Sequence, residues 1–132
     1  MTRYAIDAEV ALRIVRGDLS PDPSHQLVAP AVLRSHVLAM LYRDVHEGRI
    51  DERTGREQLE RLAELKVRLL GDRVSRSVAW KLAARLGWTE LGPAEYLAVA
   101  SLQADALVTT DELLAAAALE VIPLAAPGDL EQ

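Results

Sequence analysis

The segment PAEYLAVASLQADALVTTDELL, from Pro93 to Leu114, carries the clearest fold signal in the chain. Proline suits the first turn of a helix because its φ is already helical and no amide donor is needed there, so an alanine-rich helix is predicted from Pro93 to Ala104. The short apolar run Ala106–Thr109 is typical of a buried strand, and Asp111 is positioned to cap a further helix. The segment therefore predicts a helix, a strand and a second helix in direct succession.

The same alternation extends through the rest of the chain. Apolar runs of strand type occur at Arg3–Ile6, Gln26–Ala29, Val67–Leu70, Ala106–Thr109 and Val121–Leu124. Helical patterns lie between them, at Glu9–Arg16, Ala31–Val45, from the Asp51 cap to Leu65, and from Val74 to a stop at Gly87. Strands that alternate with helices predict βαβ crossovers and a parallel sheet covered on both faces. The predicted fold class is α/β, a three-layer α/β/α domain with a small, mostly parallel sheet.

Length and composition restrict both the domain organisation and the chemistry. The chain has 132 residues and no linker long enough to separate two units, so a single domain over residues 1–132 is expected. It contains no cysteine and three histidines, which excludes thiolate metal sites and leaves a site built mainly from carboxylates. Such a site favours magnesium or manganese. The net charge of −5 argues against binding of nucleic acid through a broadly basic surface.

The sequence carries no sign of export or membrane insertion. The first ten residues, MTRYAIDAEV, are too short and too charged for a secretory signal, and no apolar run has the length of a membrane span. A cytoplasmic protein without membrane association is therefore expected.

Two aspartates directly follow predicted strands. Asp7 follows the run Tyr4–Ile6, and Asp111 follows Leu107–Thr110. Ligands of open parallel sheets bind beyond the carboxyl ends of the strands, so these carboxylates are candidates for holding a divalent cation that promotes phosphodiester hydrolysis. The alternative is that both residues only cap the helices that follow them.

The segments YAIDAEVAL (residues 4–12), VAPAVLRSHVLAMLYR (residues 28–43) and PAEYLAVASLQADALVTTDELL together resemble the PIN-domain family, and within it the VapC-type toxins of bacterial toxin–antitoxin pairs. The similarity extends from Arg3 to about Leu124. It implies a site in which four acids bind magnesium or manganese and cut RNA by activating water. It also implies an antitoxin-like protein partner, RNA as a ligand and a homodimer.

Carried over residue by residue, the resemblance is incomplete. Asp7 and Asp111 match two of the family's acids, but His36 stands where a glutamate is expected and Pro93 where an aspartate is expected. Position 9, usually small and hydroxylic in the family, is Glu9. Pro93 has no side-chain donor, and a neutral imidazole at His36 weakens preference for magnesium. His36 is therefore either a third metal ligand or a helix histidine that is hydrogen-bonded to a neighbour.

These departures set the functional expectation. The sequence predicts a VapC-like protein whose metal site is incomplete and whose catalysis is impaired or lost. The alternatives are a non-catalytic module that binds RNA or protein, and an active metal-dependent ribonuclease with an altered ligand set. In the active version, Asp7 and Asp111 are the catalytic residues, with His36 completing the metal site.

Several other charged or aromatic residues are candidates for the same chemistry. Substitute carboxylates are available at Glu9, Glu95 and Glu112, each at the start of a predicted helix. The acid-free segment that contains Arg73, Arg76 and Lys81 is the candidate nucleic-acid contact. Trp80 and Trp88 are expected to lie in the core rather than to stack on bases.

Overall fold

A five-stranded, fully parallel sheet forms the centre of the protein. The computed structural model describes all residues from 1 to 132. The strands are β1 (Arg3–Ile6), β2 (Gln26–Pro30), β3 (Arg68–Leu70), β4 (Ala106–Val108) and β5 (Leu124–Ala125). Their order across the sheet is β3-β2-β1-β4-β5. The predicted α/β class with a small parallel sheet is confirmed.

Six helices connect and cover the strands. They are α1 (Ala8–Val15), α2 (Leu33–His46), α3 (Glu52–Glu64), α4 (Arg73–Leu86), α5 (Gly92–Gln103) and α6 (Glu112–Ala118), and a 3-10 turn spans Pro127–Glu131. None of the helices is long and apolar enough to cross a membrane.

The strand order places a topological switch point at the centre of the sheet. From β1 the chain builds outward through β2 to β3, and it then returns to the other side of β1 with β4 and β5. Ile6 at the end of β1 pairs with Val108 at the end of β4. The loops that leave β1 and β4 therefore diverge from adjacent points, which is where open α/β sheets form their binding crevices.

The core is built around α5, which is buried along most of its length. Leu97, Ala98 and Ala100 are fully buried, and α5 packs against β1, β2 and α4. Alanine side chains let the helix backbone approach the sheet closely, and the apolar area removed from water stabilises this contact. Close packing of α5 against the sheet therefore explains the alanine-rich composition of this segment.

Short local signals fix the ends of the helices. Asp7, Asp51, Asp72 and Asp111 are the N-caps of α1, α3, α4 and α6, and each accepts a hydrogen bond from a backbone amide three residues later. Gly87 ends α4 with a φ of 70°, a left-handed conformation that favours glycine. Asp7 and Asp111 thus cap the helices that follow them, which leaves open the site role that was also predicted for them. The predicted helix stop at Gly87 is confirmed.

The structure also corrects two expectations. The last strand was predicted at Val121–Leu124 but pairs at Leu124–Ala125, because Val121 and Ile122 belong to the turn that ends α6. Trp80 was expected in the core but is 69% exposed on the outer face of α4. The expectation is confirmed only for Trp88, which is half-buried against the core.

Candidate functional site

Asp7 occupies the centre of the switch point. It follows β1 directly, and its side chain is 6% exposed. Its Oδ1 accepts a hydrogen bond of 2.9 Å from the Val10 amide, and its Oδ2 accepts one from the Thr109 hydroxyl. Both carboxylate oxygens are therefore engaged by the protein itself.

Thr109 links Asp7 to the loop after β4. Its hydroxyl oxygen accepts a hydrogen bond of 3.0 Å from the Asp111 amide while its proton is donated to Asp7. Asp111 in turn accepts from the Leu114 amide through Oδ1, also at 3.0 Å. The two aspartates are thus brought to the same edge of the sheet, and one threonine hydroxyl fixes the two loops relative to each other.

Burial dominates the electrostatics of Asp7. Removal from water disfavours the charged carboxylate and raises its pKa above the ordinary value of 3.8, while the hydrogen bonds from Thr109 and Val10 oppose the rise. The nearby negative charges of Glu9 and Asp111 raise the pKa further. The site therefore gathers several carboxylates, and Asp7, Glu9 and Asp111 belong to no ion pair of the chain.

His36 is the residue of α2 that lines the same cavity as Asp7 and Asp111. Its Nδ1 lies 2.8 Å from the Tyr96 hydroxyl of α5, and the two rings are 5.7 Å apart between centroids. Burial and the negative charge of Asp7 both raise the pKa of Tyr96, so its phenol stays protonated. The interpretation of His36 as a helix histidine bonded to a neighbour is confirmed, and its role as a metal ligand stays a prediction.

These side chains line one cavity of about 280 Å³. Its polar lining consists of Asp7, Glu9, His36, Glu90, Tyr96 and Asp111, and Pro93 and Gly92 form the wall at the start of α5. The structure therefore brings all three sequence-predicted ligands, Asp7, His36 and Asp111, to a common cavity.

The three candidate substitute carboxylates differ in whether they line this cavity. Glu9 lines the cavity and accepts a hydrogen bond of 3.2 Å from the Thr110 hydroxyl. Glu95 and Glu112 do not line it and occupy the first turns of α5 and α6. Glu90, which was not predicted from the sequence, also lines the cavity. Its position three residues before the helix-opening Pro93 was the available signal, because that loop leads to the same edge as the helix start.

The predicted nucleic-acid contacts lie elsewhere. Arg73, Arg76 and Lys81 are exposed on α4, and none of them lines the acidic cavity. Arg76 donates to the Gly71 carbonyl at 3.0 Å. Their role as RNA contacts stays a prediction.

The donor set does not fit a magnesium or manganese ion. No group of three or more histidine, aspartate and glutamate side chains in the chain forms a site that could hold a metal ion. Pro93 places an apolar ring at the opening of α5, where the resemblance expects a carboxylate. Hard cations require several oxygen ligands that converge on one point.

Known structures share this architecture at low sequence identity. PAE2754 from Pyrobaculum aerophilum superposes with a TM-score of 0.75 at 21% identity, over 98% of this chain and 92% of that chain. VapBC2 from Rickettsia felis, solved bound to a DNA fragment from their promoter, gives a TM-score of 0.61 at 9% identity, over 94% of this chain and 98% of that chain. No family model and no curated protein sequence matches the chain.

Structural similarity at such low sequence identity identifies the fold alone. The strand order and the helices on both faces of the sheet agree with the architecture that the sequence resemblance implied. The chain has the three-layer α/β/α PIN-like fold, which it shares with PAE2754 and with the VapBC2 structure.

Proposed function

We propose that this protein is a VapC-like PIN-domain protein whose metal site is incomplete, so that metal-dependent RNA cleavage is impaired or lost. The observation that carries the proposal is that Asp7 and Asp111 form no group of three metal-binding side chains with any other histidine, aspartate or glutamate, although Glu9, His36 and Glu90 line the same cavity. His36 stands where the resemblance expects a glutamate and, with its Nδ1 bonded to Tyr96, offers only its other ring nitrogen in place of carboxylate oxygens. Pro93 offers no donor where the resemblance expects an aspartate. Two carboxylates alone give a divalent cation too few protein oxygens for tight binding.

The uncompensated charge of the cavity favours a second function, as a non-catalytic module that binds a protein partner. Asp7, Glu9, Glu90 and Asp111 all line the cavity, and none of them belongs to an ion pair of the chain. An arginine side chain supplied by a partner matches such a group of carboxylates, since guanidinium groups bind carboxylates in a bidentate manner. An antitoxin-like protein is the partner that the resemblance implies.

An apolar face on α2 and α3 supports the same function. Leu38, Tyr42 and Leu59 are between 41% and 70% exposed, and they line a groove of about 330 Å³ between the two helices. Contiguous apolar surface that is left exposed to water is typical of sites of protein contact. The groove gives a partner an apolar surface separate from the acidic cavity.

Cleavage of a labelled RNA, with magnesium and with manganese, tests the proposal. We expect the natural protein to cleave slowly or not at all, and the double variant His36→Glu/Pro93→Asp to gain activity because both missing carboxylates return. His36→Glu/Pro93→Ala is the matched control, since it leaves position 93 without a donor. Efficient cleavage by the natural protein, abolished in Asp7→Asn, would instead establish an active ribonuclease with an altered ligand set.

Co-purification with the product of a short neighbouring gene tests the partner function. We expect a complex that Leu38→Asp weakens by disrupting the apolar groove, and that Glu90→Gln weakens by removing one charge from the cavity. Arg53→Gln on the exposed face of α3 is the control. A chain that remains alone in the presence of any such neighbour contradicts the partner function.

A further inference from the structure

A second cavity lies beside the acidic one and has the opposite charge. It measures about 350 Å³ and lies between α1, α2 and the loop that follows α2. We call it the arginine pocket; its lining residues are Arg13, Arg16, Arg43, Arg49, Glu9, Asp44, Leu12, Met40 and Thr110. Four arginines against two acids leave a formal excess of two positive charges, in a chain whose net charge is −5.

The arginines differ in how far the chain itself neutralises them. Arg49 is held by Asp44 at 2.8 Å and by Glu47, and the Nε of Arg16 lies 3.7 Å from Asp18. Arg13 and Arg43 take part in no ion pair and no side-chain hydrogen bond. Two arginines from different helices therefore line one cavity without an internal partner for either side chain.

The helix dipole alone does not account for this arrangement. Arg13 and Arg43 lie in the last turns of α1 and α2, where the dipole favours cations. That preference acts on each helix separately and does not require the two side chains to line the same pocket. Arg13 is also half-buried, so its charge loses hydration that a bound anion would replace.

We propose that the arginine pocket binds a phosphate group, carried by a nucleotide or present as the free anion. Planar guanidinium groups bind phosphate oxygens through paired, charge-assisted hydrogen bonds. Leu12 and Met40 add an apolar wall against which the group that carries the phosphate packs. Glu9 and Thr110 line the arginine pocket and are hydrogen-bonded to each other, and Glu9 also lines the acidic cavity. The bound phosphate therefore lies next to the acidic cavity, but the proposal does not depend on whether that cavity supports cleavage.

Calorimetric titration with inorganic phosphate, adenosine 5′-monophosphate and acetate, in EDTA and at constant ionic strength, tests the phosphate site. We expect both phosphate ligands to bind, and Arg13→Gln or Arg43→Gln to weaken each by about tenfold or more, the range expected for a lost charged hydrogen bond. Arg53→Gln removes the same charge from an arginine that is 90% exposed on α3 and is the matched control. Tighter binding of the nucleotide than of phosphate identifies a nucleotide as the ligand, and equal binding identifies the free anion.

Three results would overturn the proposal: no detectable heat with either phosphate ligand at millimolar concentration, acetate binding as tightly as phosphate, or equal losses in Arg53→Gln and Arg43→Gln. Arg43 is exposed, so its variant is expected to fold even if the half-buried Arg13 proves necessary for stability. Because EDTA removes divalent cations, the outcome is independent of the cleavage assay.

Discussion

Asp7 is both the cap of α1 and a buried negative charge, and these two roles oppose each other in stability. The raised pKa means that the folded chain binds the Asp7 proton more tightly than the unfolded chain does. Its contribution to the free energy of unfolding therefore falls as the pH rises from 3.8 through the raised pKa, and it is constant above that window. A tenfold difference in proton affinity between the two states corresponds to about 1.4 kcal/mol.

We therefore expect Asp7→Asn to unfold at a higher temperature than the natural protein at pH 7 in EDTA, since the amide oxygen can still cap α1. The difference should shrink as the pH falls towards 4. Asp72→Asn is the comparison variant, and its stability should change with pH in the opposite direction. Hydrogen bonds from Ser75 lower the pKa of Asp72, so the stabilisation by this carboxylate is present at pH 7 and is lost as the pH falls below 3.8. Thermal unfolding monitored by circular dichroism from pH 3 to pH 8 measures both. A lower midpoint for Asp7→Asn at every pH would contradict the burial argument.

Trp80 and Trp88 differ in environment although they lie only eight residues apart. Trp80 is 69% exposed, whereas Trp88 packs against the core. We expect Trp80→Ala to change the free energy of unfolding by about 0.5 kcal/mol or less, and Trp88→Ala to lower it by about 2 kcal/mol. Chemical denaturation measures both changes, and acrylamide should quench the fluorescence of the Trp88→Ala variant more strongly than that of Trp80→Ala. Equal stability losses would place both rings in the core.

The pairing of α2 with α3 depends on the absence of a side chain at Gly55. A Cβ at this position would lie 2.5 Å from Cγ2 of Val45, which is too close for any packed contact. Alanine in place of glycine normally stabilises a helix interior by about 1 kcal/mol, but overpacking costs about 1–3 kcal/mol. The contact between the helices therefore outweighs the intrinsic helix preference at this residue.

A double-mutant cycle separates these two effects. We expect Gly55→Ala to destabilise the natural protein, and to be neutral or stabilising when Val45→Ala has already removed the clashing methyl groups. Urea unfolding of the four proteins gives the coupling energy. The same change in free energy in both backgrounds would show that the two helices do not meet at this point.

At the level of the whole chain, the C-terminal 3-10 turn closes the fold against the loop that follows α1. Leu130 is fully buried, and its carbonyl accepts a hydrogen bond of 2.8 Å from the Asp22 amide. The Glu131 carboxylate accepts from the Ser20 amide at 3.0 Å, and the Gln132 carbonyl lies 2.9 Å from Nε2 of His25. The C-terminal turn and the loop after α1, which are more than a hundred residues apart in sequence, thus pack against each other.

We expect Leu130→Ala to lower the free energy of unfolding by about 2–5 kcal/mol, because it leaves a cavity in this contact. Leu119→Ala removes the same atoms from a side chain that is 74% exposed and should cost about 0.5 kcal/mol or less. Guanidinium unfolding compares the two variants. Similar losses would mean that the C-terminal turn does not contribute to the core in solution.

The order and type of the elements, and the positions of Asp7 and Asp111, could be predicted from the sequence alone. They follow from signals that act within a few residues: the apolar runs of strands, the caps Asp51 and Asp111, and the stop at Gly87. The displacement of β5 towards the C-terminus occurred where that local signal was weakest, because the run Val121–Leu124 is short and contains Pro123, which cannot donate a hydrogen bond within a sheet.

Which side chains share a cavity depended on the tertiary structure. His36 and Tyr96 are sixty residues apart in sequence, and Glu90 joins them because α5 packs across β1 and β2. Arg13 and Arg43 face one pocket for the same reason, since the strand order brings α1 beside α2. The exposure of Trp80 likewise depends on which face of α4 packs against α5. Local spacing does not encode these distances, because they are set by the packing of the layers against one another.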